Sequence, residues 1–372
     1  MSSTPKKMEP PRSRSRNRAR TGTHVRLADI AAEAGVSTAT VSRVLNDAGS
    51  VSREVREKVL RVVRRRKYYP NAHARTLASG RSNLIGLVMS DISNPFFPEL
   101  VKGIETAAYE HGYEVILADT NYDAHRMASY VRRFIERGVR GVALMTSEVD
   151  AELVDELPRR NVSVVFLDTG RAGPRVSNLA VDYGAGLADA LRHLADLGHR
   201  RIAFIGGPAG IPSSELRRRA FEASFHRYVG GIPAGVYEAD FRTEGGRVAA
   251  ARMLQARPRP TAVVVANDAM ALGVLRECHA AGLSVPRDIS VVGYDDIALA
   301  ALAEPPLTTV MLPRQALGRK AVEALIATIN HPEQQGVEIP IPTSLIVRES
   351  TGPVPRNQAP EREPAGARVP AG

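Results

Sequence analysis

The spacing of apolar residues changes near residue 83 of this 372-residue chain. Residues 25–69 hold short segments in which apolar positions recur at helical spacing, whereas residues 83–350 alternate short apolar runs with amphipathic segments. Apolar runs of about five residues that alternate with helices are typical of βαβ units, in which helices cover both faces of a parallel sheet. The pattern therefore predicts an α/β body, and because its length exceeds that of one doubly wound sheet, we expect two lobes.

The apolar runs interpreted as buried strands are residues 84–89, 113–118, 141–145, 162–167, 201–205, 261–265 and 289–292. The first two helices of the body are predicted at about 98–111 and 124–137. Because ligands bind beyond the carboxyl ends of such strands, the loops that follow the strands are the expected location of a binding site.

The N-terminal pattern is that of a helix-turn-helix. Gly35 lies between two short helical segments, where a tight turn needs a residue that tolerates positive φ, and Ser37 is a suitable N-cap for the second segment. The second helix would bury Val41 and Val44, and a third helix at about 52–66 would close a small core. A generic three-helix bundle has the same spacing of apolar residues. Only the charge of the segment can distinguish such a bundle from a DNA-binding helix-turn-helix.

The net charge of +10 is concentrated at one end of the chain. Residues 1–80 carry 18 Lys or Arg and 6 Asp or Glu, a net +12, whereas residues 81–372 carry 32 and 34, a net −2. Such asymmetry is typical of a basic segment that binds a polyanion and a body with another task. Together with the helix-turn-helix pattern, it favours a DNA-binding headpiece over a generic bundle.

Both ends of the chain have compositions that cannot bury a core. The first segment is rich in Ser, Arg, Pro and Lys, and the last is rich in Pro and Gly, so we expect both to be disordered. The predicted organisation is a basic tail at 1–24, a headpiece at 25–69, a hinge at 70–82, a two-lobed body at 83–350 and a loose tail at 351–372.

Composition also excludes several classes of protein. No apolar run approaches the roughly 20 residues that span a bilayer, and the basic N-terminal segment lacks the apolar core of a secretory signal. The single cysteine, Cys278, cannot form an internal disulfide or a zinc site. We therefore expect a cytoplasmic protein with no membrane contact.

The motifs of the common enzyme classes are missing from the sequence. There is no Gly-x-Gly-x-x-Gly, no phosphate-loop lysine and no Gly-x-Ser-x-Gly elbow, and the nine histidines include no pair at metal-binding i, i+4 spacing. The sequence thus predicts a protein that is not an enzyme and that uses neither a cofactor nor a metal.

The headpiece residues resemble those of a known family. The run from Asp29-Ile30-Ala31 through Gly35-Val36-Ser37 to Asn46, followed by Tyr68-Tyr69-Pro70-Asn71 and Ala74-Arg75-Thr76-Leu77, resembles the headpiece and hinge of the lactose/galactose repressor family of bacterial regulators. One departure is Arg26, where members usually have a capping threonine. Loss of that cap should cost about 1 kcal/mol.

The resemblance implies how the headpiece would contact DNA. The second helix would enter the major groove, with Arg43 as a bidentate guanine reader. The hinge would become helical on the operator, where Leu77 would wedge into the minor groove. The residues that the resemblance assigns to the DNA interface are Ser37, Thr38, Ala39, Ser42, Arg43, Asn46, Tyr68, Arg75 and Leu77.

The body resembles the periplasmic sugar-binding fold, and its ribose-binding members especially. The resemblance and the position of polar residues at strand ends together assign an effector site to Asn94, Phe96, Phe97, Asp168, Arg217, Asn267 and Asp295. Thr169 stands where the ribose binders have arginine, and Met311 stands where they have glutamine. Because these departures make the pocket less polar, a deoxy, larger or nucleoside-like ligand is as plausible as a pentose.

The predicted function is that of a ligand-responsive transcriptional regulator, usually a repressor. A homodimer would bind a palindromic operator in double-stranded DNA, because two-fold operators match two-fold proteins. A sugar receptor for uptake or chemotaxis and a non-specific nucleoid protein are the alternatives. The headpiece opposes the first, and only the Arg-rich tail favours the second. The sequence leaves open whether the effector induces or co-represses.

Deletion of residues 2–22 should lower mainly the non-specific affinity for DNA, because the arginines of that segment would release counterions without reading bases. We expect a shallower slope of log K against log salt concentration, with the preferred site unchanged. Binding titrations on operator and random DNA at several salt concentrations measure both quantities. A changed site preference would show that the tail reads sequence.

Overall fold

The computed structural model describes residues 25–45, 49–68, 82–146, 151–168 and 170–355. The chain divides between Arg81 and Ser82 into two units, which we describe separately. Within the described ranges, no helix is both long and apolar enough to cross a membrane.

The described residues of the first unit form three helices around a small core. They are α1 (Leu27–Ala34), α2 (Thr38–Leu45) and α3 (Arg53–Arg65). Gly35 ends α1 with a φ of 64°, as the turn requires, and the Ser37 hydroxyl accepts from the Thr40 amide at 3.1 Å at the start of α2. The core that these helices share consists of Ile30, Ala31, Ala34, Val41, Val44, Val59 and Val62.

The first helix compensates for the missing threonine cap. Arg26 has an extended backbone, and its N–H donates to the carboxylate of Asp29 at 2.8 Å. Asp29 also places a negative charge in the first turn, where the helix dipole stabilises it. Asp29 therefore partly offsets the stability that α1 loses because Arg26 stands in place of a capping threonine.

The second unit has two lobes, and the first lobe is a parallel sheet covered on both faces. Its strands are β1 (Leu84–Met89), β2 (Glu114–Asp119), β3 (Gly141–Met145), β4 (Ser163–Leu167), β5 (Val176–Val181) and β11 (Glu338–Ile341). Its helices are α4 (Phe96–Glu110), α5 (Ala124–Glu136), α6 (Ala151–Arg159) and α12 (Arg314–Asn330). The strand order is β2-β1-β3-β4-β5-β11.

The second lobe repeats this arrangement. Its strands are β6 (Ile202–Gly206), β7 (Val236–Glu238), β8 (Ala262–Val265), β9 (Ser290–Asp295), β10 (Thr308–Met311) and β12 (Ser344–Ile346). Its helices are α7 (Tyr183–Asp196), α8 (Pro212–Tyr228), α9 (Thr243–Leu254), α10 (Asp268–Ala280) and α11 (Ala298–Leu302). The order is β7-β6-β8-β9-β10-β12, with β12 antiparallel to β10.

The chain passes between the lobes after β5, after β10 and after β11. Two of these crossings are bonded to each other, because the Asp182 amide donates to the Ile341 carbonyl at 2.9 Å and the Thr343 hydroxyl donates to the Asp182 carbonyl at 2.6 Å. In each sheet the strand order reverses beside the first strand of the lobe, which opens a crevice at the carboxyl ends of the strands. The two crevices and the crossings therefore define where a ligand can bind.

The α/β class and the two doubly wound lobes agree with the sequence prediction, and β1 and β3 have the predicted bounds. Helix α4 begins at Phe96, two residues before the predicted start, since a proline at the third position fits within a first helical turn. The strands that the pattern did not predict are β5, β7, β10, β11 and β12. They are short or contain polar residues, so they lack a continuous apolar run.

The start of the predicted loose tail is wrong. The carbonyl of Gly352 lies 2.9 Å from Nε2 of the buried His199, and the Thr351 hydroxyl lies 2.9 Å from Nε2 of His193. The Val354 amide donates to the Leu197 carbonyl at 3.0 Å. Residues 351–354 are therefore hydrogen-bonded to the second lobe. The rest of the predicted tail, beyond residue 355, lies outside the described residues.

Substitution of Gly103 by alanine should destabilise the second unit, because a Cβ there would lie 2.6 Å from the carbonyl oxygen of Gln315, where α4 crosses α12. We expect a loss of about 1–3 kcal/mol in the free energy of unfolding, as for other overpacked sites. The control is Gly184→Ala on α7, where the nearest atom is a side-chain oxygen of Asp182 at 3.3 Å. Urea unfolding measures the free energy of unfolding of both variants. Equal effects would mean that the contact between the new Cβ and the Gln315 carbonyl does not determine stability at Gly103.

Candidate functional site

The exposed side of α2 carries the predicted base-reading residues. Ser37, Thr38, Ala39 and Arg43 are exposed, whereas Ser42 is half-buried. The opposite side of the helix holds Val41 and Val44 in the headpiece core, so packing fixes which residues face outward.

The other predicted DNA contacts are only partly described. Tyr68 is half-buried and packs against the headpiece core just after α3. Asn46, Arg75 and Leu77 lie outside the described residues, as do most of the hinge and Thr169. DNA contact by all nine residues remains a prediction.

The structure brings the seven predicted effector residues to one cleft between the lobes. This cleft has a volume of about 570 Å³, its open mouth included, which lies within the roughly 300–1,000 Å³ typical of small-molecule sites. Asn94, Phe96, Phe97 and Asp168 come from loops or helix starts that follow strands of the first lobe, and Arg217, Asn267 and Asp295 come from the second.

Arg217 is a cation buried among aromatic rings. Its Cζ lies 5.0 Å from the ring centre of Tyr183, 5.1 Å from that of Tyr294 and 5.6 Å from that of Phe241. Burial disfavours the charged guanidinium, but nearby acidic groups, Tyr183 and Asp295 foremost, outweigh burial and raise the pKa of Arg217. The residue is therefore a permanent positive charge in the wall of the cleft.

Asp295 faces Arg217 without a direct hydrogen bond. Oδ1 of Asp295 lies 3.5 Å from Nη2 of Arg217, and both side chains are largely buried. Among the described residues, Oδ1 of Asp295 and Nε of Arg217 have no hydrogen-bond partner. Burial raises the pKa of Asp295 to about 6, although Arg217 and Arg314 oppose the rise. Buried polar atoms without partners are rare in native proteins, so these two atoms are available to a ligand.

Asp168 is bonded to the crossing that leads into α7. Its carboxylate accepts from the Tyr183 hydroxyl at 2.6 Å and from the Val181 amide at 2.7 Å. Burial raises the pKa of Asp168, and these two hydrogen bonds oppose the rise. The Tyr183 ring in turn packs against the Arg217 guanidinium, so Asp168 supports the cleft wall from the first lobe.

The two amide side chains of the site already have structural partners. The Asn94 oxygen accepts from the Phe96 amide at 3.0 Å, and the Asn267 oxygen accepts from the Met270 amide at 2.9 Å at the start of α10. Asn267 also donates to the Phe241 carbonyl at 2.9 Å. Each amide therefore shapes a helix start and offers a ligand only its remaining hydrogen-bonding capacity.

Several residues of the cleft have a left-handed backbone. Tyr122, Asp168, Phe241 and Asp295 have φ values of 60°, 63°, 64° and 108°. Such conformations cost a non-glycine residue about 1–2 kcal/mol and persist only where the surroundings enforce them. Their concentration here indicates that the loops are held in place to aim these side chains.

Sequence reasoning missed the aromatic walls and several small polar groups of the cleft. The missed lining residues that the structure adds include Ser90, Tyr122, Thr146, Tyr183, Ser213 and Phe241. Leu312 lines the cleft, whereas its neighbour Met311 is not part of the lining, so the apolar position predicted at Met311 is displaced by one residue. Ser90 and Thr146 follow a strand directly, and Tyr122, Tyr183 and Phe241 follow one within three residues, so closeness to a strand end was the available signal.

An exposed helix in a three-helix headpiece and a polar cleft in a two-lobed body together define a transcriptional regulator with a small-molecule site. The model described as bacterial regulatory proteins, lacI family, matches residues 26–71, and the model of a periplasmic binding protein-like domain matches residues 191–351. The ribose operon repressor of Escherichia coli is 37% identical over 330 residues, which are 87% of this chain and 99% of the relative. The chain belongs to the lacI family.

Further relatives agree with this assignment. Catabolite control protein A of Priestia megaterium is 32% identical over 88% of this chain and 99% of its own length. The structure of the lac repressor dimer bound to operator and an anti-inducer has a TM-score of 0.79 at 31% identity, with 88% and 99% of the two chains covered. A lacI family regulator of Enterococcus faecium with bound ribose has a TM-score of 0.67 at 30% identity, with 73% and 99% covered.

Replacement of Asp295 by asparagine should change the pH dependence of stability. The pKa of Asp295 is raised to about 6 in the folded chain, so the unfolded state loses its proton first and the wild type loses stability as pH rises from about 4 to above 6. The free energy of unfolding of the variant, relative to wild type, should therefore rise by about 2 kcal/mol between pH 4.5 and 7.5. Urea unfolding over that range measures it, and a constant difference would contradict the raised pKa.

Proposed function

We propose that this protein represses transcription as a cytoplasmic homodimer that binds a palindromic operator and responds to a sugar-like effector in the cleft. The observation that carries the effector site is the pair of buried, unpartnered atoms, Nε of Arg217 and Oδ1 of Asp295. A bound molecule with adjacent donor and acceptor groups, such as vicinal hydroxyls, would satisfy both. The cleft is also lined by aromatic side chains, among them Phe96, Tyr122 and Phe241, and such side chains suit the apolar face of a sugar ring.

The relatives support the same class of ligand. The ribose operon repressor is named for a sugar, and the Enterococcus faecium regulator was solved with bound ribose. The cleft of this chain has several apolar and aromatic walls, among them Leu312 and Phe241. We therefore propose a cyclic polyhydroxylated effector with one apolar face, which the protein binds without transforming it.

The headpiece supports DNA binding through α2. The exposed residues Ser37, Thr38, Ala39 and Arg43 form the surface that would enter the major groove, and Ser42 would contribute at its edge. The lac repressor was solved as a dimer bound to operator. Two headpieces of a dimer of this chain would read two half-sites in the same way.

Arg314 connects Asp295, a cleft residue of the second lobe, with helix α4 of the first lobe. Arg314, at the start of α12, donates to the backbone carbonyl of Asp295 and also to the carboxylate of Glu99 on α4 at 2.9 Å. A ligand that moves Asp295 would therefore move Arg314 and α4. Such a ligand shifts operator affinity only by its differential affinity for the two lobe arrangements, typically about 1–3 kcal/mol.

Substitution of Arg217 by alanine should abolish the effector response, because the variant loses the cation that a ligand would contact. Ligand-free operator affinity should stay within about threefold, a change below 1 kcal/mol. The operator is first isolated by selection from random DNA, and the effector by a thermal-shift screen of pentoses, hexoses, polyols and nucleosides. Operator binding is then titrated with and without that effector.

The matched control is Arg219→Ala, on the same helix. Arg219 is exposed and pairs with Glu215 at 2.8 Å on the helix surface, so its loss should leave the response intact. Thermal unfolding of both variants checks that they are folded. If the Arg217→Ala protein still responds at the wild-type effector concentration, the proposed cleft is not the effector site.

A further inference from the structure

A cluster of charged and aromatic groups joins the two lobes beside the cleft. Arg242, just before α9 in the second lobe, places Nη2 2.9 Å from Oδ2 of Asp91, and its Nε donates to the same oxygen at 3.0 Å. Nη2 of Arg242 also donates to the side-chain oxygen of Asn121 at 2.6 Å. Asp91 and Asn121 follow β1 and β2, so one guanidinium holds two loops of the first lobe.

These residues are immediate chain neighbours of residues that line the cleft. Asp91 follows Ser90, and Arg242 follows Phe241. The side chain of Arg242 is 44% exposed, whereas that of Asp91 is 8% exposed, so the ion pair lies where the cleft meets solvent. The contact therefore lies beside the lining of the cleft, and Arg242 is nearer to solvent than Arg217.

The carboxylate of Asp91, the buried member of the ion pair, is oriented by hydrogen bonds and stays ionised. The Asp91 carboxylate accepts from the amide and hydroxyl of Ser93 at 2.9 and 2.5 Å, which fixes its orientation. Burial opposes ionisation of Asp91, but the hydrogen bonds from Ser93 and the Arg242 guanidinium outweigh burial and lower its pKa. A partly buried, preoriented ion pair is screened less by salt than a surface pair.

Aromatic packing reinforces the same contact. The rings of Tyr122 and Phe241 stack across the lobes with centres 6.3 Å apart and planes inclined by 22°. The Arg242 Cζ lies 5.5 Å from the Tyr122 ring centre. Tyr122 and Phe241 both have positive φ, so the two loops are held in the conformation that brings the rings together.

We propose that Arg242, Asp91 and Asn121 form a clasp that holds the lobes together over the cleft in the ligand-free protein and restricts the site to ligands no larger than a monosaccharide. The size limit rests on the proposed function, whereas the closure does not. A ligand with a second ring attached would extend through the entrance, and its binding would require rupture of the ion pair and loss of the Tyr122–Phe241 stack.

The closure is tested on the ligand-free full chain with spin labels at Arg137→Cys in the first lobe and Ala281→Cys in the second. Both positions are exposed, and the native Cys278 is buried. Labelled protein is mixed with excess unlabelled protein so that pairs within one chain dominate. In Arg242→Ala the interlobe distance distribution should shift to longer distances and broaden.

Two further variants sharpen this comparison. Arg247→Ala, on α9, removes an arginine that pairs with Glu244 and Glu277 of the same lobe, so its distance distribution should match that of wild type. The distance distribution of Arg242→Lys should lie between those of wild type and Arg242→Ala. An ammonium can pair with Asp91, but it lacks the several fixed donors with which the guanidinium also binds Asn121. An unchanged distribution in Arg242→Ala overturns the clasp.

The size limit is tested by calorimetric titration with D-ribose and with cellobiose. For wild type and Arg247→Ala we expect binding of D-ribose only, whereas Arg242→Ala should improve cellobiose binding relative to D-ribose by at least about tenfold, or 1.4 kcal/mol. If the lobes of Arg242→Ala open but its binding of cellobiose relative to D-ribose does not improve, the size limit is wrong. If the lobes of the variant open but neither sugar binds to any of the proteins, the closure is supported and D-ribose is excluded as the effector.

Discussion

The charge of Arg217 lies on a side chain that is largely withdrawn from water, and the rest of the cleft is arranged around that constraint. Removing an ion from water costs several kcal/mol unless neighbouring groups replace the lost hydration. Three aromatic faces and the Asp295 carboxylate do so, and Asp168 keeps one of those rings in place through the Tyr183 hydroxyl. The replacement is incomplete, since Nε of Arg217 and Oδ1 of Asp295 have no hydrogen-bond partner within the described part of the chain.

The parts of the fold that the sequence predicted are those in which a single physical rule dominates. Strands β1 and β3 are central and covered on both faces, so every residue must be apolar and the run reveals the strand. Strand β11 has the sequence Glu-Ile-Pro-Ile at a sheet edge, where solvent and a missing amide are tolerated. Its position depends on pairing with β5, which is distant in sequence, and local patterns carry no information about that pairing.

The site was predictable to a similar degree. Asn94, Asp168, Asn267 and Asp295 stand out because charged and amide residues close to strand ends are otherwise costly. The resemblance to the sugar-binding fold added Phe96, Phe97 and Arg217, and all seven residues line the cleft. An aromatic residue at a strand end is equally suited to a core, so Tyr183 and Phe241 gave no comparable signal. Nor could the sequence reveal that the amides of Asn94 and Asn267 are largely used to start helices. That division of roles depends on three-dimensional hydrogen bonding.

The close crossing of α4 and α12 at Gly103 has a consequence for how the protein is made. Helix α12 and strand β11 belong to the first lobe, yet the ribosome synthesises them after nearly all of the second lobe. Until they emerge, the part of the first sheet that α12 covers, formed by β3, β4 and β5, stays uncovered, as does the surface of α4 that receives α12. The second lobe must therefore be largely synthesised before the first can finish folding. The early lobe exposes apolar surface for that interval, when chaperones can bind it.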